Sequence, residues 1–149
     1  MTTPEPCAEL LLDNQLCFAL YSTSLLLTKV YKPLLQELGL TYPQYLAMMV
    51  LWEGDGITVG DISSRLLTDP GSVTPLLKRL EAEGLLKRTR SSADERVVEL
   101  FLTDKGRSLY EQAKAIPSCI LAASQQSFAE LGALKNELVA LRSNLQQAI

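Results

Sequence analysis

Histidine is absent from this sequence of 149 residues. Without it there is no Ser-His-Asp or Cys-His catalysis, and the commonest zinc ligand is missing. Cysteine is scarce. Cys7, Cys17 and Cys119 are odd in number, widely separated and form no CxxC pair. Neither a zinc site nor the disulfide framework of a secreted domain fits that pattern; free thiols in a reducing compartment do. Long apolar runs are lacking too. Leu25-Leu26-Leu27 and the stretch Leu46–Trp52 are far too short to span a bilayer. The first residues, Met1-Thr2-Thr3-Pro4-Glu5-Pro6, have neither the basic start nor the apolar stretch of a signal peptide. There is no internal repeat and no low-complexity linker. The expectation is a cytoplasmic protein with no membrane partner, no metal and no cofactor.

What is present suits a single folded domain over residues 1–149. Hydrophobic residues make up 47% and charged residues 21%, the balance of a globular chain long enough to bury a core. The net charge is −3, which looks wrong for a nucleic-acid binder. Local charge matters more than the total. Between Lys78 and Arg96, six basic residues (Lys78, Arg79, Lys87, Arg88, Arg90, Arg96) face four acidic ones (Glu81, Glu83, Asp94, Glu95), a net +2 inside an acidic protein.

The hydrophobic period predicts a mainly helical fold. After a loose arm over residues 1–7, helical spacing begins near Ala8 and runs through Leu12, Leu16, Ala19, Leu20, Leu27 and Val30. Pro33 predicts a break followed by a short helix, Leu34–Leu38, closed by Gly39. Thr41 ahead of Pro43 opens a helix to about Trp52 that is apolar nearly all round. Thr58-x-x-Asp61 reads as a capping box starting a helix over Val59–Leu67. Asp69-Pro70 opens the next, with Val73, Leu76, Leu77 and Leu80 inward and Gly84 as its stop. The period then changes. Leu85–Arg90 and Arg96–Leu102 have strand character around a polar turn, Ser91–Glu95. From Thr103-Asp104 a long helix is expected to bend at Pro117, and a last helix carries Leu131, Leu134, Leu138, Leu141 and Leu145.

Helix, turn, helix, hairpin is the order of a winged helix-turn-helix over residues 57–103. The second helix of such a pair enters the major groove, where base edges are distinguishable. Ser72, Thr74 and Pro75 lie near its start, and Lys78 and Arg79 can reach phosphate or guanine. Arg88 and Arg90 lie on the hairpin. Arg96 at its tip suits a narrow, electronegative minor groove, with Asp94 supporting the tip.

Thr74-Pro75-Leu76-Leu77-Lys78-Arg79-Leu80-Glu81, Gly84-Leu85 and Asp94-Glu95-Arg96 resemble the MarR family of winged-helix repressors, over nearly the whole chain. The resemblance implies double-stranded DNA with an inverted-repeat operator as partner. It also implies a homodimer built from the terminal helical parts, about residues 8–56 and 104–149, because a two-fold dimer presents two recognition helices to two half-sites. By spacing alone, the leucine stripes of the first and last helices fit an intrachain core equally well.

Cys17 sits at the border of a polar and an apolar face, near Asp13, Asn14, Leu20, Tyr21 and Ser24, with no Lys or Arg beside it. That spacing favours a buried, inert thiol. The surrounding motifs point the other way. Asn14–Tyr21, Tyr31-Lys32-Pro33-Leu34-Leu35 and Thr41-Tyr42-Pro43-Gln44-Tyr45-Leu46 resemble the OhrR branch, whose members sense organic hydroperoxides. The resemblance implies that Cys17 is the oxidised residue and that Tyr31 and Tyr42 of the other subunit hydrogen-bond it. Phenolic donors of that kind stabilise a thiolate. It further implies a resolving cysteine in the C-terminal region, for which Cys119 is the candidate and Cys7 a weaker one. A thiol peroxidase would have no use for the winged segment, so enzymatic turnover is not expected. The alternative is a MarR-type repressor released by a non-covalently bound phenolic or drug-like ligand.

Overall fold

The computed structural model describes residues 7–149. Apart from Cys7, the arm expected over residues 1–7 lies outside the described residues. The chain forms two compact units, Met1–Glu111 and Gln112–Ile149.

In the first unit, two short 3-10 turns, Ala8–Leu10 and Leu12–Asn14, precede helix α1, Leu16–Gln36. Regular helix therefore begins about two turns later than the spacing predicts. Pro33 does not break α1 but lies inside it. The two expected helices are one, and Gly39, at φ 71°, turns the chain after it. Helix α2, Tyr42–Glu53, starts with a complete capping box. Thr41 Oγ1 accepts from Gln44 N–H, and the Gln44 side chain accepts from Thr41 N–H. Its Tyr45, Ala47, Met48, Val50 and Leu51 are buried, as its apolar character requires, although Met49 is exposed.

Strand β1, Ile57–Thr58, leads directly into α3, Val59–Arg65. The capping box at Thr58 and Asp61 is formed. Leu67 then takes a left-handed conformation, φ 57°, in the turn before α4. A leucine there costs about 1 kcal/mol or more. Helix α4, Pro70–Ala82, buries Val73, Leu77 and Leu80; Leu76 is half-buried. It ends where Gly84, at φ 77°, lets Leu85 N–H bond back to Leu80 O. Strands β2, Leu86–Arg90, and β3, Val98–Leu102, form the expected hairpin in the register Leu86 to Leu102 and Arg90 to Val98. The sheet has a third strand, because β1 pairs with the far side of β3 in the order β1-β3-β2. Two residues ahead of a capping box carry no strand period, so β1 leaves no trace in the pattern.

Thr103 starts α5, Asp104–Ala113. Its hydroxyl accepts from Gly106 N–H and donates to Gly84 O at 2.6 Å. The start of α5 is thereby tied to the end of α4. The core of this unit is closed by Met48, Ile62, Leu77, Leu80 and Leu100, all fully inaccessible. In the second unit, α6, Ile116–Ser124, carries Pro117 in its first turn, and α7, Phe128–Gln147, has a complete capping box at Ser127 and Glu130. The long helix expected to bend at Pro117 is two helices, since proline starts a helix more easily than it continues one. Among the described residues, no helix is long and apolar enough to cross a membrane.

Candidate nucleic-acid interface and thiol site

Asp69 fixes the start of α4. Its carboxylate accepts from Ser72 N–H at 2.9 Å and from the Ser72 hydroxyl at 3.0 Å. These bonds hold its pKa below the usual carboxylate range. Ser72 is thus oriented and exposed. The Thr74 hydroxyl donates to Pro70 O at 2.9 Å, so its lone pairs are left to accept. Pro75 lies in the body of α4 and has no N–H to offer the Gly71 carbonyl. Lys78 and Arg79 are exposed on the same helix.

The hairpin residues divide into struts and free cations. Arg88 donates to Glu81 through both its backbone N–H, 3.0 Å, and Nε, 3.1 Å. It joins β2 to α4 and has only its terminal nitrogens left for phosphate. These bonds lower the Glu81 pKa. Arg90 donates to Glu95 O at 2.7 Å across the tip. At the tip, Asp94 accepts from Arg96 N–H at 3.0 Å and Arg96 Nε at 3.3 Å. The Arg96 side chain remains 92% exposed. Lys87, not among the expected contacts, is an exposed cation beside them. Its place in the basic segment was the available signal.

Three residues outside the expected set hold this face in place. Asp55 Oδ2 accepts from Leu102 N–H at 2.9 Å and from Arg107 at 3.0 Å. It supplies the next rung after the Gly56 N–H to Leu100 O bond, beyond the point where β1 ends. Gly106 lies so close to the backbone just ahead of β2 that an added Cβ would collide with Leu85 O. Trp52 Nε1–H donates to Gly106 O at 2.9 Å.

The thiol site is laid out along α1. Cys17, in its first turn, is exposed and free, which corrects the buried thiol that spacing alone favours. Neither helical pattern nor burial of α1 provides a cover for it: of 21 residues only Leu35 is buried. Leu16, Tyr21, Leu25, Leu26 and Leu27 are exposed large apolar groups. At the other end, Tyr31 meets Tyr42 at a ring-centroid distance of 4.9 Å, and both meet Tyr45. Burial pushes the Tyr31 phenol up to about 12, with Tyr42 and Tyr45 adding to the effect. It is a neutral O–H donor at any physiological pH. Cys17 and Tyr31 lie on one continuous helix, so their backbones are separated by about 21 Å at 1.5 Å per residue. The two cannot meet within one chain. Cys119 is exposed on α6 of the second unit. Cys7 Sγ donates to Glu9 at 2.6 Å.

The sequence matches the transcriptional regulator SarA/Rot family over residues 29–113. It is 49% identical over 136 residues to the organic hydroperoxide resistance transcriptional regulator of Bacillus subtilis, covering 91% of this chain and 92% of that protein. Among solved structures, reduced AbfR bound to DNA is 36% identical, with a TM-score of 0.79 over 93% of this chain and 94% of that one. AbfR is a Staphylococcus epidermidis protein. Its disulfide-formed structure, 35% identical, has a TM-score of 0.62 over 93% and 92% of the two chains. These relatives are transcriptional regulators, not enzymes. The chain belongs to the MarR family of winged-helix transcriptional regulators, in its organic hydroperoxide resistance branch.

Proposed function

We propose that this regulator is a homodimeric repressor that leaves its operator when an organic hydroperoxide oxidises Cys17. One observation carries the reading. Cys17 is exposed on a helix with almost no buried residues, about 21 Å from the paired Tyr31 and Tyr42 on the same chain. A second copy, packed on the apolar surface of α1, both covers that surface and brings its own tyrosines to the thiol. The terminal helical parts, residues 8–56 and 104–149, make the dimer, and residues 57–103 read duplex DNA. Ser72, Thr74 and Pro75 face base edges in this reading. Lys78, Arg79, Arg88 and Arg90 bind phosphate, and Arg96 reaches the minor groove beside the wing held by Asp94.

The chemistry is a two-electron transfer. The Cys17 thiolate attacks the terminal oxygen of the hydroperoxide, an S–O bond forms and the O–O bond breaks. Sulfur becomes a sulfenic acid, and the alkoxide leaves as an alcohol after taking up a proton. Tyr31 and Tyr42 donate hydrogen bonds to the reacting sulfur and oxygen atoms. The Cys119 thiol of the other subunit then displaces hydroxide from the sulfenic sulfur, giving a disulfide and water. Oxidation redistributes the dimer between two states of different DNA affinity.

The test is operator binding before and after cumene hydroperoxide. Cys17→Ser should stay bound while wild type is released. Cys119→Ser should lose the oxidation-dependent disulfide dimer on a non-reducing gel. Release of Cys17→Ser as readily as wild type refutes the reading. A second reading, release by a non-covalent aromatic ligand, draws on a cavity of about 520 Å³ lined by Leu46, Met49, Trp52 and Tyr110, with the Glu53–Arg65 pair beside it. It requires release without covalent change, including in thiol-blocked protein.

A further inference from the structure

A second cavity, of about 370 Å³, lies between the C-terminal half of α1 and the start of α2. Leu35, Leu40 and Pro43 give it apolar walls, and Leu35 and Leu40 are buried. Tyr42 lines it and also meets the Tyr31 ring at a tilted angle, so the cavity adjoins the tyrosine pair. Lys32 is its only charged lining residue. Lys32 is exposed and has no ion-pair partner among the described residues. An apolar slot with one uncompensated cation at its border is complementary to an amphiphile bearing one negative charge.

We infer that Lys32 selects hydroperoxides that carry a carboxylate on an apolar chain. This inference rests on the proposed sensing role of Cys17. The chain lies along Leu35, Leu40 and Pro43, the carboxylate pairs with the Lys32 ammonium, and the peroxide group is left beside Tyr42. There the partner's thiolate takes the terminal oxygen and the hydroxy acid departs. Lys32 takes no part in the bond changes. Its contribution is to substrate capture and orientation, and it weakens as salt screens the pair.

The experiment measures the rate of Cys17 sulfenate formation in the intact protein, with a sulfenate-trapping probe. Three oxidants are compared below micelle-forming concentration: linoleic acid hydroperoxide, its methyl ester and cumene hydroperoxide. Wild type should prefer the acid to the ester about five-fold, the upper range for an ion pair open to solvent. Lys32→Met should bring that ratio to about one while leaving the cumene hydroperoxide rate unchanged, and Lys32→Arg should restore the preference. Equal acid and ester rates in wild type, or a preference that survives Lys32→Met, overturn the inference. So does a matching loss of the cumene hydroperoxide rate in Lys32→Met, which would make the lysine a general activator of the thiol. All three results leave the sensing role standing. That role fails separately if Cys17→Ser protein is still released by cumene hydroperoxide.

Discussion

Replacing Asp55 by alanine should loosen the joint between the wing and α5. The Asp55 side chain is only 21% exposed, whereas Arg107 is 60% exposed. Its carboxylate is the acceptor for Leu102 N–H at the end of β3, where no strand residue continues the ladder on that side. Without it, a half-buried backbone donor goes unpaired, at a cost of about 1–3 kcal/mol. Loss of the Arg107 pair adds up to about 1 kcal/mol, discounted for the exposure of the guanidinium. Asp55→Ala should therefore destabilise the protein by about 1–4 kcal/mol. Asp55→Asn keeps an acceptor for Leu102 and should lose about 1 kcal/mol or less, as should Arg107→Ala. Urea unfolding at one fixed protein concentration measures these differences, since assembly would otherwise shift the midpoint. The reasoning is refuted if Asp55→Ala unfolds within about 0.5 kcal/mol of wild type, or if asparagine is as damaging as alanine.

Other outcomes follow from single contacts. Gly106→Ala drives a methyl group into the Leu85 carbonyl; neither partner is a flexible side chain, so a drop of at least 1–3 kcal/mol is expected by thermal unfolding, roughly the range for overpacking. Leu67→Gly relieves the left-handed backbone at φ 57° and should stabilise by about 1 kcal/mol, with DNA affinity retained in a gel shift. Because the folded-state pKa of Tyr31 is raised from 10.0 to about 12, its contribution is intact below pH 10 and lost as pH rises toward 12. Stability of Tyr31→Phe should fall less steeply than wild type across that interval in an alkaline unfolding series. Asp69→Ala should reduce operator affinity by freeing Ser72, and the stability that Asp69 supplies in wild type should be full above its ordinary pKa and lost as pH falls from there through the lowered one.

The winged segment was legible because its devices are local. Caps at Thr58 and Asp69, proline at the first position of α4 and glycine at its end each act over one turn, and all formed. Sequence failed where a partner decides the outcome. Pro33 signals a break, yet α1 continues through it, forgoing the hydrogen bond that a backbone N–H there would give the Lys29 carbonyl. Cys17 reads as buried by its neighbours, yet its helix is almost uncovered in one chain. The stripe was correctly apolar; what covers it does not belong to the same polypeptide in the proposed dimer. Asp55 was invisible for a different reason. A lone aspartate after a helix looks like turn chemistry, and its acceptor role depends on Leu102, far along the chain.

Trp52 is the sole tryptophan of the sequence. It meets Tyr45 edge-on, contacts Tyr110, and is held by Gly106 O. The protein therefore carries an intrinsic optical probe at the junction of α2 and α5. Indole emission responds to a lost hydrogen bond or to entering water, so any movement there can be followed without a label. Operator, oxidant and denaturant titrations then share one readout taken from inside the molecule.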